Sequence, residues 1–152
     1  MTTFRGVSPY LYYTDAAAAL DWLARVFGFV EQVRYLDPDG VVREAEMTVG
    51  DVPIHLCGLD PDHWQRQGLP GPTGQLTIVY VDDVDVHHAH AVAAGAVADP
   101  PETKDYSART YLVRDPGGNS WCFWQPLDRP VRLRDGWSET RPEPVTARRG
   151  DR

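Results

Sequence analysis

Cysteine is scarce in this chain, with Cys57 and Cys122 the only two in 152 residues. A small secreted scaffold held by disulfides needs a denser, paired set, so these two read as free thiols inside strands. There is no Gly-x-Ser-x-Gly elbow, no glycine-rich loop of the kind that cradles phosphate and no Cys-x-x-Cys pair. The hydrolase, nucleotide-loop and dithiol readings lose their usual signatures with them. Basic residues are outnumbered, 15 Lys and Arg against 22 Asp and Glu, for a formal charge of −7. A nucleic-acid partner wants a basic stripe, and an anionic membrane surface wants the same sign, so neither is expected. No apolar run approaches a membrane span, and the first residues lack the basic-then-apolar pattern of a secretory signal. A cytoplasmic location is the expectation.

Aromatic residues and turn-forming pairs are plentiful. Residues 109–125, RTYLVRDPGGNSWCFWQ, read as strand, turn, strand. Asp115-Pro116-Gly117-Gly118-Asn119 combines a fixed φ with residues free to adopt positive φ, which is hairpin chemistry. In the second strand Trp121 and Phe123 share one face, and Ser120, Cys122 and Trp124 the other.

Taken in order, residues 7–14 form an aromatic-rich strand. Asp15 caps a helix over 16–27 that Gly28 stops, with Leu20, Leu23, Val26 and Phe27 on its apolar stripe. Strands follow over 29–36, 41–49 and 52–57, separated by Asp37-Pro38-Asp39-Gly40 and Gly50-Asp51. Residues 58–74 are a long Pro/Gly-rich loop that carries His63 and Trp64. The pattern then restarts, with a strand over 75–81, a helix over 84–94 capped by Asp83, a short strand from 96 to 99, and the hairpin. Both parts read β-α-β-β-β. Asp15 and Asp83 set a repeat offset of roughly 68 residues, the mark of internal duplication. The class is therefore α+β, with tandem βαβββ modules at about 7–57 and 75–126 making one domain over 1–126. Residues 127–152 have little apolar patterning apart from Trp137 and are expected to be a partly disordered tail.

Three separated strings resemble the vicinal oxygen chelate superfamily, which includes glyoxalases, bleomycin-resistance proteins and extradiol dioxygenases. They are SPYLYYTDAAAALDWLARVFGF, VYVDDVDVHHAHAVAAGA and RTYLVRDPGGNSWCFWQP. The resemblance is to the PhnB-like or glyoxalase-like branch and covers roughly residues 7–126. It implies curled mixed sheets around a cavity and, in many relatives, a homodimer.

It also implies where a divalent metal would sit. The family's ligand positions fall on Ser8, His55, Leu76 (with Gln75 beside it) and Cys122. Leucine cannot ligate, and a serine hydroxyl is a poor ligand at neutral pH. His55 and Cys122 remain as metal candidates, with His63 able to complete a set. Two ligands do not make a site, so neither metal nor other cofactor is expected. His87, His88 and His90 lie on the second helix, where a solvated surface explains them without a metal. Glu44 and Glu46 share one face of the third strand and, with His55, are the candidate acid–base residues.

If those ligand positions face inward, parity extends the wall to Ser8, Tyr10, Tyr12, Pro53, His55, Cys57, Leu76, Ile78, Tyr80, Ser120, Cys122 and Trp124. Trp64 from the loop and Arg109 from the hairpin string join the expected ligand-binding set. Such a wall suits flat or hydrophobic small molecules. The expected function is metal-independent binding, such as sequestering an antibiotic or other planar compound. The alternatives are a lyase, isomerase or dioxygenase acting in the same cavity, and a module that binds a protein partner.

Overall fold

The computed structural model describes residues 8–59, 62–66, 68, 71, 76–133 and 135. Asp15 opens the first helix, its side chain accepting from Ala18 N at 2.9 Å. Such a cap contributes about 1 kcal/mol. Gly28 closes the helix in the left-handed conformation, φ 77°. Between them α1 spans Ala16–Phe27 and buries Leu20, Leu23 and Val26. Around it run β1 (Tyr10–Tyr13), β2 (Val30–Leu36), β3 (Val42–Val49) and β4 (Val52–Gly58). They form a mixed sheet in the order β1-β4-β3-β2, with β1 parallel to β4.

A one-turn helix, α2 (His63–Arg66), lies in the connection expected to be loop throughout. The second module repeats the first. It comprises β5 (Leu76–Tyr80), α3 (Val84–Ala93), β6 (Glu102–Lys104), β7 (Ala108–Arg114) and β8 (Ser120–Pro126), in the order β5-β8-β7-β6. Asp83 caps α3 by accepting from Val86 N at 3.0 Å. The strand expected at 96–99 lies instead at Glu102–Lys104. Pro100 and Pro101 have no N–H to donate to a ladder, so pairing with β7 begins only beyond them.

Each sheet has one face covered by helices and one open face. Leu11, Tyr13, Ala45, Met47, Ile54 and Leu56 point under α1, and Val79, Tyr111, Val113, Trp121 and Phe123 face the other way from Ile78 and Cys122 to join the same core. Phe27, at the end of α1, meets Trp121 edge-on at 5.7 Å and Phe123 at 4.8 Å between ring centres. His87 on α3 stacks on Phe123 at 4.0 Å and bonds to the Phe27 carbonyl through Nε2 at 3.1 Å. The modules thus share one core, closed by polar bonds at its edge.

The start of the C-terminal segment is ordered by main-chain bonds. Leu127 N donates to Ser107 O at 2.9 Å and Arg132 N to Asp105 O at 2.7 Å. Ser107 takes a positive φ of 63° there and its hydroxyl donates to Leu127 O at 2.8 Å. Trp137 and most of the expected disordered tail lie outside the described residues.

Candidate functional site

The open face of the first sheet is built in rows. Tyr12, Cys57, Glu44 and Tyr35 lie in register across β1, β4, β3 and β2, and Tyr10, His55, Glu46 and Val33 form the next row. Strand alternation puts all of them opposite the buried Leu11, Ile54, Leu56, Ala45 and Met47. Tyr10 donates its hydroxyl to the Glu44 carboxylate, 2.7 Å from each oxygen. Burial and the Glu44 carboxylate raise the Tyr10 pKa, so it stays a neutral donor. His55 Nδ1 lies 3.9 Å from Glu46. Trp64 meets Tyr12 edge-on at 5.0 Å, and His63 stacks on Tyr12 at 5.9 Å. The connection therefore returns its two large rings to this wall.

The open face of the second sheet is less polar. Leu76, Ile78 and Tyr80 on β5 pair in register with Ser120, Cys122 and Trp124 on β8, and Cys122 and Trp124 pair with Leu112 and Thr110 on β7. Cys122 is buried at the base of a depression of about 360 Å³, lined also by Ile78, Thr110, Leu112, Trp124 and Tyr106. Tyr106 stacks on Trp124 at 4.9 Å. Lys104 and Glu102 form an ion pair at its rim. A broader hollow of about 660 Å³ continues past Leu76 and Leu112 to Val97 and Arg114.

Ser8, Tyr10, Tyr12, His55, Glu44, Glu46 and Trp64 fall together on the first wall, and Ile78, Tyr80, Cys122 and Trp124 on the second. Arg109 does not join either. It is on the helix-covered face of β7, and its guanidinium grips Asp85 of α3 with two bonds of 2.7 Å. That pair holds the Asp85 carboxyl below its ordinary range. The hairpin string alone points to the arginine, whereas the register of β7 turns Thr110 and Leu112, not Arg109, toward the open face. Thr110 and Leu112 escape the sequence reading for the same reason, and Tyr106 for want of any pattern. Counting in twos back from Cys122 across the hairpin would have found the first two. Tyr106, a lone ring in a polar stretch, carried only its own presence as a signal.

The donor set does not fit the family's metal. Ser8 donates its hydroxyl to Pro53 O at 2.6 Å, and Leu76 offers no donor. His55 and Cys122 lie on different sheets. Burial pushes the Cys122 and Cys57 thiols up, away from the thiolate a metal or a nucleophilic reaction needs. Among the described residues, no group of three or more His, Cys, Asp or Glu is placed to hold a metal ion.

Two βαβββ modules with aromatic open faces define a family, and comparison with known proteins agrees. Residues 6–123 match the model of the Glyoxalase/Bleomycin resistance protein/Dioxygenase superfamily. The chain belongs to that superfamily. It is 32% identical over 130 residues to the uncharacterized protein Rv0887c of Mycobacterium tuberculosis, covering 80% of this chain and 74% of the relative. The crystal structure of TioX from Micromonospora sp. ML1 is similar at 34% identity and TM-score 0.62, over 83% of this chain and 99% of TioX. TnmS3, an antibiotic binding protein from Streptomyces sp. CB03234, has the same fold at 22% identity and TM-score 0.64, over 83% and 99% of the two chains.

Proposed function

We propose that the protein is a metal-independent, small-molecule-binding homodimer that takes up a planar, hydrophobic compound such as an antibiotic or another natural product. The main support is the contrast between the two faces of each sheet. Trp121, Phe123, Leu56 and Met47 are wholly buried, while on the opposite faces Ile78 is 44% exposed, Leu112 62% and Tyr80 70%. Rings and aliphatic side chains left open on a curved sheet gain by burial against a flat apolar molecule. A second copy that lays its own open faces against these would turn two shallow walls into a closed cleft, which is the reason for expecting a homodimer. The antibiotic-binding fold relative TnmS3 is in keeping with this reading.

The enzymatic alternative, a lyase, isomerase or dioxygenase at the same wall, would draw on His55 and Glu46, which lie 3.9 Å apart. Native mass spectrometry of the untreated protein separates the two. A dimer carrying an organic ligand and no metal is the expected result. A strictly monomeric 17 kDa species, or one transition metal per chain with turnover of a glyoxalase or dioxygenase substrate, would overturn the proposal.

A further inference from the structure

The two open walls differ in chemistry, and the difference bears on what the ligand carries. On the second sheet the wall is mostly apolar; its one lysine is already paired with Glu102 at the rim, and the other basic group, Arg114, stands at the far end of the broader hollow. On the first sheet two adjacent rows each place a tyrosine at one side and a glutamate two strands away, with Cys57 or His55 between them. The basic side chains that this sheet supplies are committed elsewhere. Arg34 binds Glu31 at 2.7 Å and Asp21 at 3.3 Å, and Arg43 binds Asp37 at 2.8 Å. Glu44 and Glu46 instead face a phenol and an imidazole. Tyr10 and Tyr12 meet edge-on at 5.3 Å, and Trp64 closes on Tyr12 from the connection, so ring surfaces border the carboxylates.

An aromatic cluster beside anionic oxygens matches a positive charge on two counts. Ring faces attract a cation through their quadrupole, and carboxylates attract it by charge. The Tyr10 hydroxyl fixes the Glu44 carboxylate in place, so little ordering remains to be done on binding.

We propose that the open face of the first sheet, through Tyr10, Tyr12, Trp64, Glu44 and Glu46, is a recognition site for a cationic group, a protonated amine or amidinium, carried on a planar ligand. This rests on the reading of the protein as a small-molecule binder and narrows the ligand class within it. The neutral part of the ligand lies on rings, and its charge lies over the glutamates.

Isothermal titration of the full chain with three ring-matched probes tests this. At about pH 8, 9-aminoacridine is cationic, acridine neutral and acridine-9-carboxylate anionic. The cation is expected to bind about tenfold more tightly than acridine, and the anion more weakly than either. Added salt should weaken the cation alone. The Glu44→Gln/Glu46→Gln variant should keep the acridine affinity, which shows that it is folded, while the cation loses its advantage to within about twofold. Equal binding of all three probes, unchanged in the variant, would sink the cation site and leave small-molecule binding standing. If none of the three binds, both readings fail together.

Discussion

The Tyr13 hydroxyl donates to the Asp115 carboxylate at 2.5 Å across 102 residues of sequence. One partner ends β1 in the first module, and the other begins the β7–β8 turn in the second. Trp121 Nε1 donates to the same oxygen at 2.9 Å, and the backbone N–H groups of Gly117 and Asn119 donate to the other at 3.0 Å. A buried carboxylate is costly unless its lone pairs are filled, and here they are. The charged turn is thereby stitched to the neighbouring module.

Tyr13→Phe is therefore expected to destabilise by about 1.5–3 kcal/mol, the range for a hydrogen bond to a charged group. Gly117→Ala should also destabilise, because a Cβ there would sit 2.5 Å from the Tyr13 ring. Urea unfolding of both variants is the check. Unchanged midpoints would mean the junction contributes nothing to docking of the modules.

Trp121 and Trp124 are three residues apart on β8 and face opposite ways. Trp121→Ala should cost about 3–5 kcal/mol, since it empties a fully buried site. Trp124→Ala should leave the melting temperature nearly unchanged and weaken binding of planar compounds, by roughly 0.5–1.5 kcal/mol beyond the area lost. Melts paired with titration of acridine decide it. An unfolded Trp124→Ala beside a silent Trp121→Ala would reverse the faces of the strand.

His87 links stability to pH. Burial holds its pKa below the ordinary histidine value, with Nδ1 2.7 Å from the Tyr111 hydroxyl. The unfolded chain therefore takes up its proton first as pH falls. Stability from this group is fully present above the unfolded value of about 6.5 and is lost as pH drops from there through the folded value. His87→Gln should flatten the stability profile on the acid side of about pH 6.5, as read by denaturation at stepped pH. An acid slope unchanged by the substitution would assign it to other groups.

Arg109→Ala should leave ligand binding as it is. Its pair with Asp85 is half-exposed and screened by solvent, so the stability change should be small. A large loss of acridine affinity at unchanged stability would return this arginine to the site.

Most of the fold was legible because its signals are local. Asp15 and Gly28 bound α1, and alternation sorts Trp121 from Trp124, with no distant contact required. β6 lies later than the apolar-looking stretch 96–99 suggests, because pairing with β7 starts only past the two prolines. α2 is a single turn with no buried residue, too short for any period to register. The candidate site was half legible. Tyr10, Tyr12 and His55 follow from parity on their own strands. The bond from Tyr10 to Glu44, by contrast, joins first and third strands across β4 and runs diagonally from one row to the next, a contact that no pattern within either strand shows.

The strand order carries a consequence for how the chain is made. In each module the opening strand pairs in parallel with the closing one, Tyr10 with His55 and Ile78 with Cys122. A parallel partner cannot be reached by a hairpin, so β1 waits for β4 to leave the ribosome, and β5 waits for β8. Such pairings form late, and the waiting strands are exposed meanwhile. A chain stalled or cut within the last hairpin would hold a fully paired first sheet and a second whose leading strand, Leu76–Tyr80, has no neighbour to bond. Loss of a few residues around Cys122 would therefore be felt at the other end of its module, as an unpaired edge open to aggregation.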